Sequence, residues 1–352
     1  MNKEQLRQYL LQAINMALDS DGTETSYTNS FDIQVKDNGF NWIPRIPSSF
    51  IINVDLYQKI YEIANLALYP QFTLLKMNNM YTVPLKTQDL HVQRALFFPW
   101  IEGIPERLRI DSNESQQDNY YIHLMKNLKI SYEKVTSIAI AGNSGSGKSY
   151  FLNYLLNTIY RFSNLTIIDP KMDSPARWAR AHNVKAIFPD ANRSKADFVS
   201  QINEVLSEKL HLIHVRQKQL YINPKQKFKA ETIALDEILS IVEGLSKPIY
   251  SSFTGLISQI ALLGRSTNIH LLLVSQRLDH TTLPTSVREQ ANVLVQFGNI
   301  NSRTTQFLFP DLNPQGIVIP LGKGTGLIQI IDPDFPPQVL PFLAPTYNER
   351  TY

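Results

Sequence analysis

Short apolar runs alternate with helical patterns over the second part of the chain. Strands are predicted at residues 138–141, 165–168, 184–188, 232–235, 270–274 and 293–297. Between them, residues 198–220 and 256–263 repeat apolar side chains at helical spacing. Fully apolar strands that alternate with helices are typical of a parallel sheet covered on both faces. We therefore predict an α/β domain with a mostly parallel central sheet over residues 111–352.

The first 110 residues show a different pattern. Residues 3–18 place apolar side chains on one helical face, and a second helix is predicted from its N-cap at Asp55 to the proline at position 70. Alternating apolar positions at 72–98 predict two or three short strands, and residues 99–105 a turn-rich joint. This part contains no recognisable catalytic motif, so a smaller α+β accessory domain is predicted over residues 1–110.

Two polar stretches predict loops, one at residues 20–30 and one at 111–119. The second marks the predicted domain boundary. The net charge is only +3, so binding of nucleic acid would depend on local patches. The chain has no cysteine, no apolar run long enough for a bilayer and no signal-peptide pattern, and we expect a cytoplasmic protein.

The strand predicted at 138–141 leads directly into a glycine-rich loop. The loop and the residues after it match the phosphate-binding P-loop, Gly-x-x-x-x-Gly-Lys-Ser. Its glycines let backbone N–H groups turn inward around a phosphate, and the following helix adds its positive dipole end. A chance glycine-rich turn is the alternative, but the strand–loop–helix context favours a nucleotide site. The predicted nucleotide-binding residues are Gly142, Asn143, Ser144, Gly145, Ser146, Gly147, Lys148, Ser149 and Tyr150.

The strand predicted at 232–235 ends in two acids, Asp236 and Glu237, the Walker B arrangement. Asp236 and the Ser149 hydroxyl are predicted to hold Mg²⁺. Lys148 is predicted to reach the β- and γ-phosphates, and Glu237 to polarise the attacking water. Acids at the start of a helix are the alternative interpretation. The P-loop upstream favours hydrolysis, with Glu237 and Lys148 as catalytic residues.

Two further polar residues flank the strand predicted at 270–274. Gln276 follows it, where an amide could sense the γ-phosphate, and Arg265 precedes it, where a guanidinium could reach a neighbouring subunit's nucleotide. Both are predicted to contribute to catalysis. For Arg265, as for Arg288 and Arg303, a surface salt bridge is an equally weighted alternative.

Several strings resemble the FtsK/SpoIIIE DNA translocases of the FtsK/HerA superfamily, in the order and approximate spacing of that family. They are Ile-Ile-Asp-Pro-Lys at 167–171, Leu-Asp-Glu at 235–237, Leu-Leu-Gly-Arg at 262–265, Ser-Gln-Arg at 275–277, Val-Arg-Glu-Gln-Ala-Asn at 287–292, Ser-Arg-Thr at 302–304 and the turn at 322–326. A Leu-Met-Lys-Asn-Leu stretch at 124–128 resembles the FtsK-like proteins of Gram-positive plasmids and mobile elements.

This resemblance implies a RecA-like P-loop motor that uses ATP and Mg²⁺ to move DNA. It implies a ring of identical subunits, a hexamer, in which Arg265 occupies the family's arginine position. It also suggests a relaxase or another transfer protein as a partner for the N-terminal domain. The chain departs from the family pattern at 293–296, where Val-Leu-Val-Gln stands in place of a Thr-Arg pair.

Alternative functions remain open from the sequence. A viral genome-packaging ATPase would share the same chemistry, and an ATP-binding adaptor would switch shape without moving DNA, although Glu237 argues against the adaptor. The guanine-reading motif of GTPases is absent. A basic run at 209–229 is interpreted as a solvated surface rather than a DNA path, and His211 and His214 as surface residues rather than metal ligands. The turn at 322–326 is predicted to be a hairpin turn. The strandedness of the DNA stays undetermined.

Overall fold

A computed structural model of the chain describes residues 2–19, 30–45, 52–110, 120–332 and 338–347. The predicted loop at 111–119, and the predicted loop at 20–30 except for Ser30, lie outside the described residues.

Helices and strands alternate along these described residues. The α-helices are α1 (Lys3–Asp19), α2 (Val54–Leu68), α3 (Lys148–Ile159), α4 (Ser174–Ala181), α5 (Lys195–Ile222), α6 (Ile238–Val242), α7 (Lys247–Leu263), α8 (Thr285–Arg288) and α9 (Ser302–Thr305). Short 3₁₀ helices cover Leu90–Val92, Tyr132–Lys134 and Arg265–Thr267. The strands are β1 (Phe31–Lys36), β2 (Gly39–Pro44), β3 (Phe72–Leu74), β4 (Lys76–Met77), β5 (Thr82–Pro84), β6 (Arg94–Glu102), β7 (Arg109–Ile110), β8 (Tyr121–Met125), β9 (Leu128–Ser131), β10 (Ser137–Gly142), β11 (Ser163–Ile168), β12 (Lys185–Ile187), β13 (Ala230–Leu235), β14 (Ile269–Ser275), β15 (Val293–Phe297), β16 (Thr325–Ile330), β17 (Gln338–Leu343) and β18 (Thr346–Tyr347).

The chain forms two compact units. Unit 1 consists of Met1–Pro105, Asp311–Ile319 and Pro337–Pro341, and unit 2 of Glu106–Pro310, Pro320–Pro336 and Phe342–Tyr352. The predicted domain boundary at residue 110 therefore differs from the observed division. The observed boundary falls earlier, and two segments late in the chain belong to unit 1. One of these segments joins through β17, whose Val339 pairs with Lys76 of β4. Local sequence patterns carry no record of such distant pairing.

Unit 1 has the α+β composition predicted for the N-terminal part. Its antiparallel sheet has the order β1-β2-β6-β3, and β5 also pairs with β6. Helix α1 contacts β1 and α2, and α2 contacts β3. Aromatic side chains dominate the core between helices and sheet, with the rings of Phe40 and Phe98 stacked at 4.9 Å and Trp42 fully buried. Such rings bury large apolar areas in a small unit.

Two local predictions in unit 1 are wrong. The predicted joint at 99–105 is in part strand β6, which pairs there with β2 and β3. Pro99 has no N–H to donate, but its carbonyl accepts from the Leu75 N–H at 2.8 Å, so the strand tolerates it. The N-cap of α2 is Asn53 rather than Asp55, because the Asn53 side chain accepts from the Leu56 N–H at 2.9 Å.

Unit 2 contains the mostly parallel sheet predicted from the apolar runs. The strand order is β12-β11-β13-β14-β10-β15-β16. The first six strands run parallel, and β16 is antiparallel to β15. All six parallel strands therefore end at one edge of the sheet, which we call the carboxyl edge, and begin at the other, the amino edge. Ligands of α/β sheets bind at the carboxyl edge.

Candidate nucleotide site

The predicted P-loop lies at the carboxyl edge between β10 and α3. Gly145 and Gly147 have φ angles of 76° and 108°, in the left-handed region that favours glycine. A Cβ atom on Gly147 would lie 2.6 Å from the Gly324 nitrogen, and the Gly324 N–H donates to the Ser146 carbonyl at 2.8 Å. The late glycine turn therefore packs directly against the P-loop.

Arg107 holds this late turn in place. Its guanidinium donates to the carbonyls of Lys323 at 2.8 Å and of Ala344 at 2.6 Å, and the Ala344 N–H donates to the Gly324 carbonyl at 2.8 Å. The P-loop thus packs against a turn whose backbone is held by hydrogen bonds to Arg107 and Ala344. The predicted hairpin turn at 322–326 precedes β16, and its glycines also allow its backbone to approach the P-loop backbone at Gly147 closely.

Lys148 begins α3 and is only 6% exposed. Its ammonium donates to the carbonyls of Gly142 and, at 3.1 Å, of Asn143, both in the P-loop. Burial lowers its pKa, while the charges of Glu237 and Asp236 oppose that shift. A buried cation held only by carbonyls is suited to bind an anion at the start of a helix.

The other predicted nucleotide-binding residues surround this lysine. Ser149 and Tyr150 are exposed in the first turn of α3, Tyr150 to 77%. Asn143, Ser144 and Gly145 are also exposed. The buried Ser146 hydroxyl finds no hydrogen-bond partner within the described part of the chain.

Three carboxyl groups lie at the ends of two neighbouring strands. Asp169 follows β11, and Asp236 and Glu237 follow β13. Burial raises the pKa of Asp236 to about 7, with further contributions from the negative charges of Asp169 and Glu237. Crowded, desolvated carboxyls of this kind favour a bound cation.

Glu237 has an unusual backbone and an incomplete set of partners. It is 9% exposed, and its φ of 45° and ψ of 51° are uncommon for a residue with a Cβ atom. Its Oε1 lies 3.1 Å from the Lys171 ammonium. Its Oε2 is buried and has no hydrogen-bond partner among the described residues. Strain and unmet hydrogen bonding are concentrated at functional sites.

These residues fit a magnesium ion bound with a nucleotide. Mg²⁺ prefers oxygen ligands and is held by one or two protein groups together with phosphates, and the Ser149 hydroxyl and the Asp236 carboxyl are oxygen donors. No group of three or more His, Cys, Asp or Glu side chains in the described ranges is arranged to hold a metal alone. His211 and His214 lie exposed on α5.

A cavity of about 310 Å³ extends from the P-loop along the ends of β14 and β15. Gln276 lines it, and the Gln276 carbonyl accepts from the Gly142 N–H at 3.2 Å. The cavity is also lined by Arg277, Arg303 and Gln296, whose Oε1 has no partner in the described structure. The structure thus brings Gln276 beside the P-loop.

Arg265 occupies the opposite edge of the sheet. It is exposed in the 3₁₀ helix that precedes β14, whereas the P-loop follows β10, the parallel neighbour of β14. It therefore lies away from the P-loop of its own chain. Arg288 instead donates to the Phe307 carbonyl at 2.6 Å and to the Thr285 hydroxyl at 2.9 Å, which gives it a structural role.

The basic run at 209–229 divides into buried and exposed cations. The ammonium of Lys209 lies 2.6 Å from the Glu231 carboxylate, and the largely buried Arg216 donates to the Thr267 carbonyl at 2.7 Å. The remaining cations are exposed: Lys218, Lys225, Lys227 and Lys229. Two of the six charges thus stabilise the fold.

Sequence reasoning assigned no role to two residues of the site. Asp169 is fully buried and accepts from the backbone N–H groups of Lys171 and Asp173, and Lys171 pairs with Glu237. The signal was the Asp-Pro-Lys string after a buried strand. None of the described helices is both long and apolar enough to span a membrane.

Comparisons with known proteins show what the chain resembles. No family model matches the chain. The FtsK domain-containing protein YdcQ of Bacillus subtilis (strain 168) is 23% identical over 214 residues, which are 58% of this chain and 43% of YdcQ. The chain thus matches less than half of that relative. Its name nevertheless confirms the FtsK resemblance predicted from the motifs.

Solved structures show the same fold. The pCW3 conjugation coupling protein TcpA, a monomer with ATPγS, has a TM-score of 0.57 at 15% identity, covering 97% of this chain and 94% of TcpA. EssC (ATPases 2 and 3) from Geobacillus thermodenitrificans has a TM-score of 0.53 at 15% identity, covering 71% of this chain and 49% of that structure. The predicted P-loop ATPase fold is confirmed.

Proposed function

We propose that the chain, which resembles the FtsK/HerA-type P-loop ATPases in its motifs and fold, is a motor that hydrolyses ATP to move DNA in plasmid or mobile-element transfer or maintenance. One observation carries the ATPase part of the proposal. The P-loop lysine and the carboxyls of Asp236 and Glu237 meet at one edge of the sheet, and all three are buried. Motors of this class need such an assembly to hydrolyse nucleotide.

Each residue has a distinct role in the proposal. The P-loop amides and Lys148 bind the phosphates, with the ammonium leaving the carbonyls of Gly142 and Asn143. Ser149 and Asp236 hold Mg²⁺, which supplies neutralising charge to the phosphates when it is bound. Glu237 accepts the proton of the attacking water, and Gln276 senses the γ-phosphate. An adaptor that only switches shape would not need Glu237 in this position.

Assembly of several copies completes the proposed site. Arg265 lies exposed at the amino edge, where it is available to a second copy and not to its own P-loop. A head-to-tail arrangement of identical subunits closes into a ring when the rotation permits it. We therefore include a ring-shaped homo-oligomer, a hexamer, in which Arg265 reaches the neighbouring nucleotide.

The remaining partners follow from the relatives and from charge. TcpA is a conjugation coupling protein by name. By analogy, this chain acts in DNA transfer, and a relaxase or another transfer protein binds the accessory domain at residues 1–110. A cytoplasmic location gives the motor access to both ATP and DNA. Arg303 lines the cavity beside the P-loop, as does Arg277, which pairs with Asp279 at 2.9 Å. The positive charge of Arg303 is compatible with a nearby phosphate backbone.

The decisive experiment measures ATP hydrolysis with and without linear double-stranded and single-stranded DNA. The Lys148→Ala variant serves as the blank. Stimulation by one form of DNA is expected, and the stimulating form identifies the substrate. Hydrolysis that is unaffected by either form would contradict a DNA motor.

A further inference from the structure

An ion pair inside the proposed site connects two neighbouring strands. Lys171 follows β11 and Glu237 follows β13, and their charged atoms are 3.1 Å apart. The lysine side chain is 44% exposed and the glutamate side chain 12% exposed. The pair thus links a cation that solvent reaches to the carboxylate proposed to accept the proton.

The turn that carries Lys171 is fixed by hydrogen bonds. The Asp169 carboxylate accepts from the backbone N–H groups of Lys171 at 2.9 Å, Asp173 at 2.8 Å and Ala176 at 3.2 Å. Asp169 itself is fully buried. Because the backbone at Lys171 is held in this way, the lysine stem begins at a fixed point.

The other half of the pair is held in an unfavourable conformation. The backbone of Glu237 is left-handed, which places its Cβ atom close to the following carbonyl oxygen. Residues with a Cβ atom seldom adopt this conformation. Lys148, the other lysine near the Walker B acids, donates to P-loop carbonyls. Within the described chain, Oε1 of Glu237 therefore faces Lys171 while Oε2 has no hydrogen-bond partner.

We propose that Lys171 is a positioning residue that restrains Glu237 in a resting ion pair, which must open before Glu237 accepts a proton from water. The ammonium at Oε1 fixes the orientation of the whole carboxylate, so the unpartnered Oε2 cannot turn toward a water molecule until the pair opens. The inference rests on the proposed function, because it assigns a control element to the same site. It makes Lys171 a brake on hydrolysis and not a group required for it.

The first test compares steady-state ATP hydrolysis by three variants. Lys171→Met removes the charge and keeps the stem, and Lys171→Arg retains a cation. Lys185→Met is the control, since the Lys185 side chain is 54% exposed, close to the 44% of Lys171, and its pair with Glu208 at 3.5 Å lies outside the site. Lys171→Met should raise the DNA-free kcat about fivefold with little change in KM, the scale set by a partly exposed ion pair. Lys171→Arg and Lys185→Met should behave like the unmodified protein.

The result that overturns the proposal is equally clear. If Lys171→Met lowers the DNA-free kcat or leaves it unchanged, Lys171 does not restrain Glu237. Loss of the brake should also lower the ratio of DNA-stimulated to DNA-free hydrolysis. An unchanged ratio would likewise contradict the restraint.

A second test needs neither ATP nor DNA. Urea unfolding of the nucleotide-free protein is compared for Lys171→Met, Glu237→Gln and the double variant. The ion pair predicts that Lys171→Met changes stability in the native background and has no further effect beside Glu237→Gln. Additive effects would exclude the pair. A protein that hydrolyses ATP without responding to DNA would refute the motor function, while the unfolding test would still decide the restraint.

Discussion

The two edges of the parallel sheet in unit 2 differ in how completely their buried carboxylates are paired. At the amino edge, the Glu231 carboxylate accepts from Asn164 at 2.7 Å and pairs with Lys209 at 2.6 Å and with Arg216 at 3.8 Å. At the carboxyl edge, Glu237 has a single ion-pair partner and one buried oxygen without a hydrogen bond in the described structure. Both glutamates are similarly buried, and Glu231 lies at the start of β13 whereas Glu237 follows its end.

This difference separates charges that stabilise the fold from charges that await a ligand. Removing one partner of a fully paired buried charge strongly lowers the free energy of unfolding, because the other partner is left without a counter-charge. A buried charge with incomplete pairing reduces stability and persists where a ligand completes it. The amino edge is therefore expected to control folding, and the carboxyl edge activity.

The largest effect is expected from Lys148. Lys148→Ala removes the cation proposed to bind the phosphates and should lower ATP hydrolysis by ~10³-fold or more, since one well-placed charge in phosphoryl transfer supplies effects of this size. Stability should change little, because burial disfavours the cation and offsets its attraction to Asp236 and Glu237. Hydrolysis assays and urea unfolding measure the two quantities. Lys209→Ala at the amino edge is the control, and it should reduce stability while the folded protein stays active.

Glu231 at the start of β13 and Glu237 beyond its end provide the sharpest comparison. Glu237→Gln should slow hydrolysis by about 10²–10⁴-fold, the range for loss of a general base, with ATP binding retained. Glu231→Gln should instead destabilise the protein by about 3–5 kcal/mol, because Lys209 and Arg216 lose their counter-charge. ATPγS binding, hydrolysis and urea unfolding separate the effects. The comparison fails if both variants lose activity to the same extent while remaining folded.

The sequence predicts one edge much better than the other. Lys148, Asp236 and Glu237 are recognisable because phosphate binding and water activation require particular residues beside a loop of fixed length. The Glu231 network is not recognisable, since its partners lie on α5 and β11 and meet only in the folded sheet. The same limit explains why β17, far along the chain, was not predicted to pair with β4 in unit 1.

The edges should also respond to pH with opposite signs. Burial raises the pKa of Asp236 from 3.8 to about 7, so its contribution to stability is present below its unfolded value and is lost as the pH rises toward 7. At the amino edge, burial lowers the pKa of His270 from 6.5 to about 4, so its contribution is present above 6.5 and is lost as the pH falls toward 4.

Urea unfolding of the nucleotide-free protein between pH 4.5 and 7.5 measures this dependence. Asp236→Asn should make the free energy of unfolding rise more steeply with pH, and His270→Gln should make it rise less steeply. Each group changes the slope by at most about 1.4 kcal/mol per pH unit. An Asp236→Asn variant with the slope of the unmodified protein would show that the carboxyl does not take up a proton on folding.

The smallest effect concerns the turn behind the P-loop. Gly324 has a φ of 70°, and a Cβ atom there would lie 3.1 Å from the Arg107 guanidinium. Gly103 in unit 1 has nearly the same φ, 74°, with no atom within 4 Å among the described residues, and Gly103→Ala is therefore the matched control. Both substitutions should cost about 1 kcal/mol of unfolding free energy from the backbone strain alone.

Only Gly324→Ala should also weaken nucleotide binding, because displacement of the turn shifts the carbonyl of Ser146 and the backbone around Gly147. Titration with ATPγS at a temperature where both variants are folded measures this difference. Equal affinities would mean that the P-loop keeps its shape without the turn. In that case β10 and α3 would be sufficient to hold the P-loop in shape.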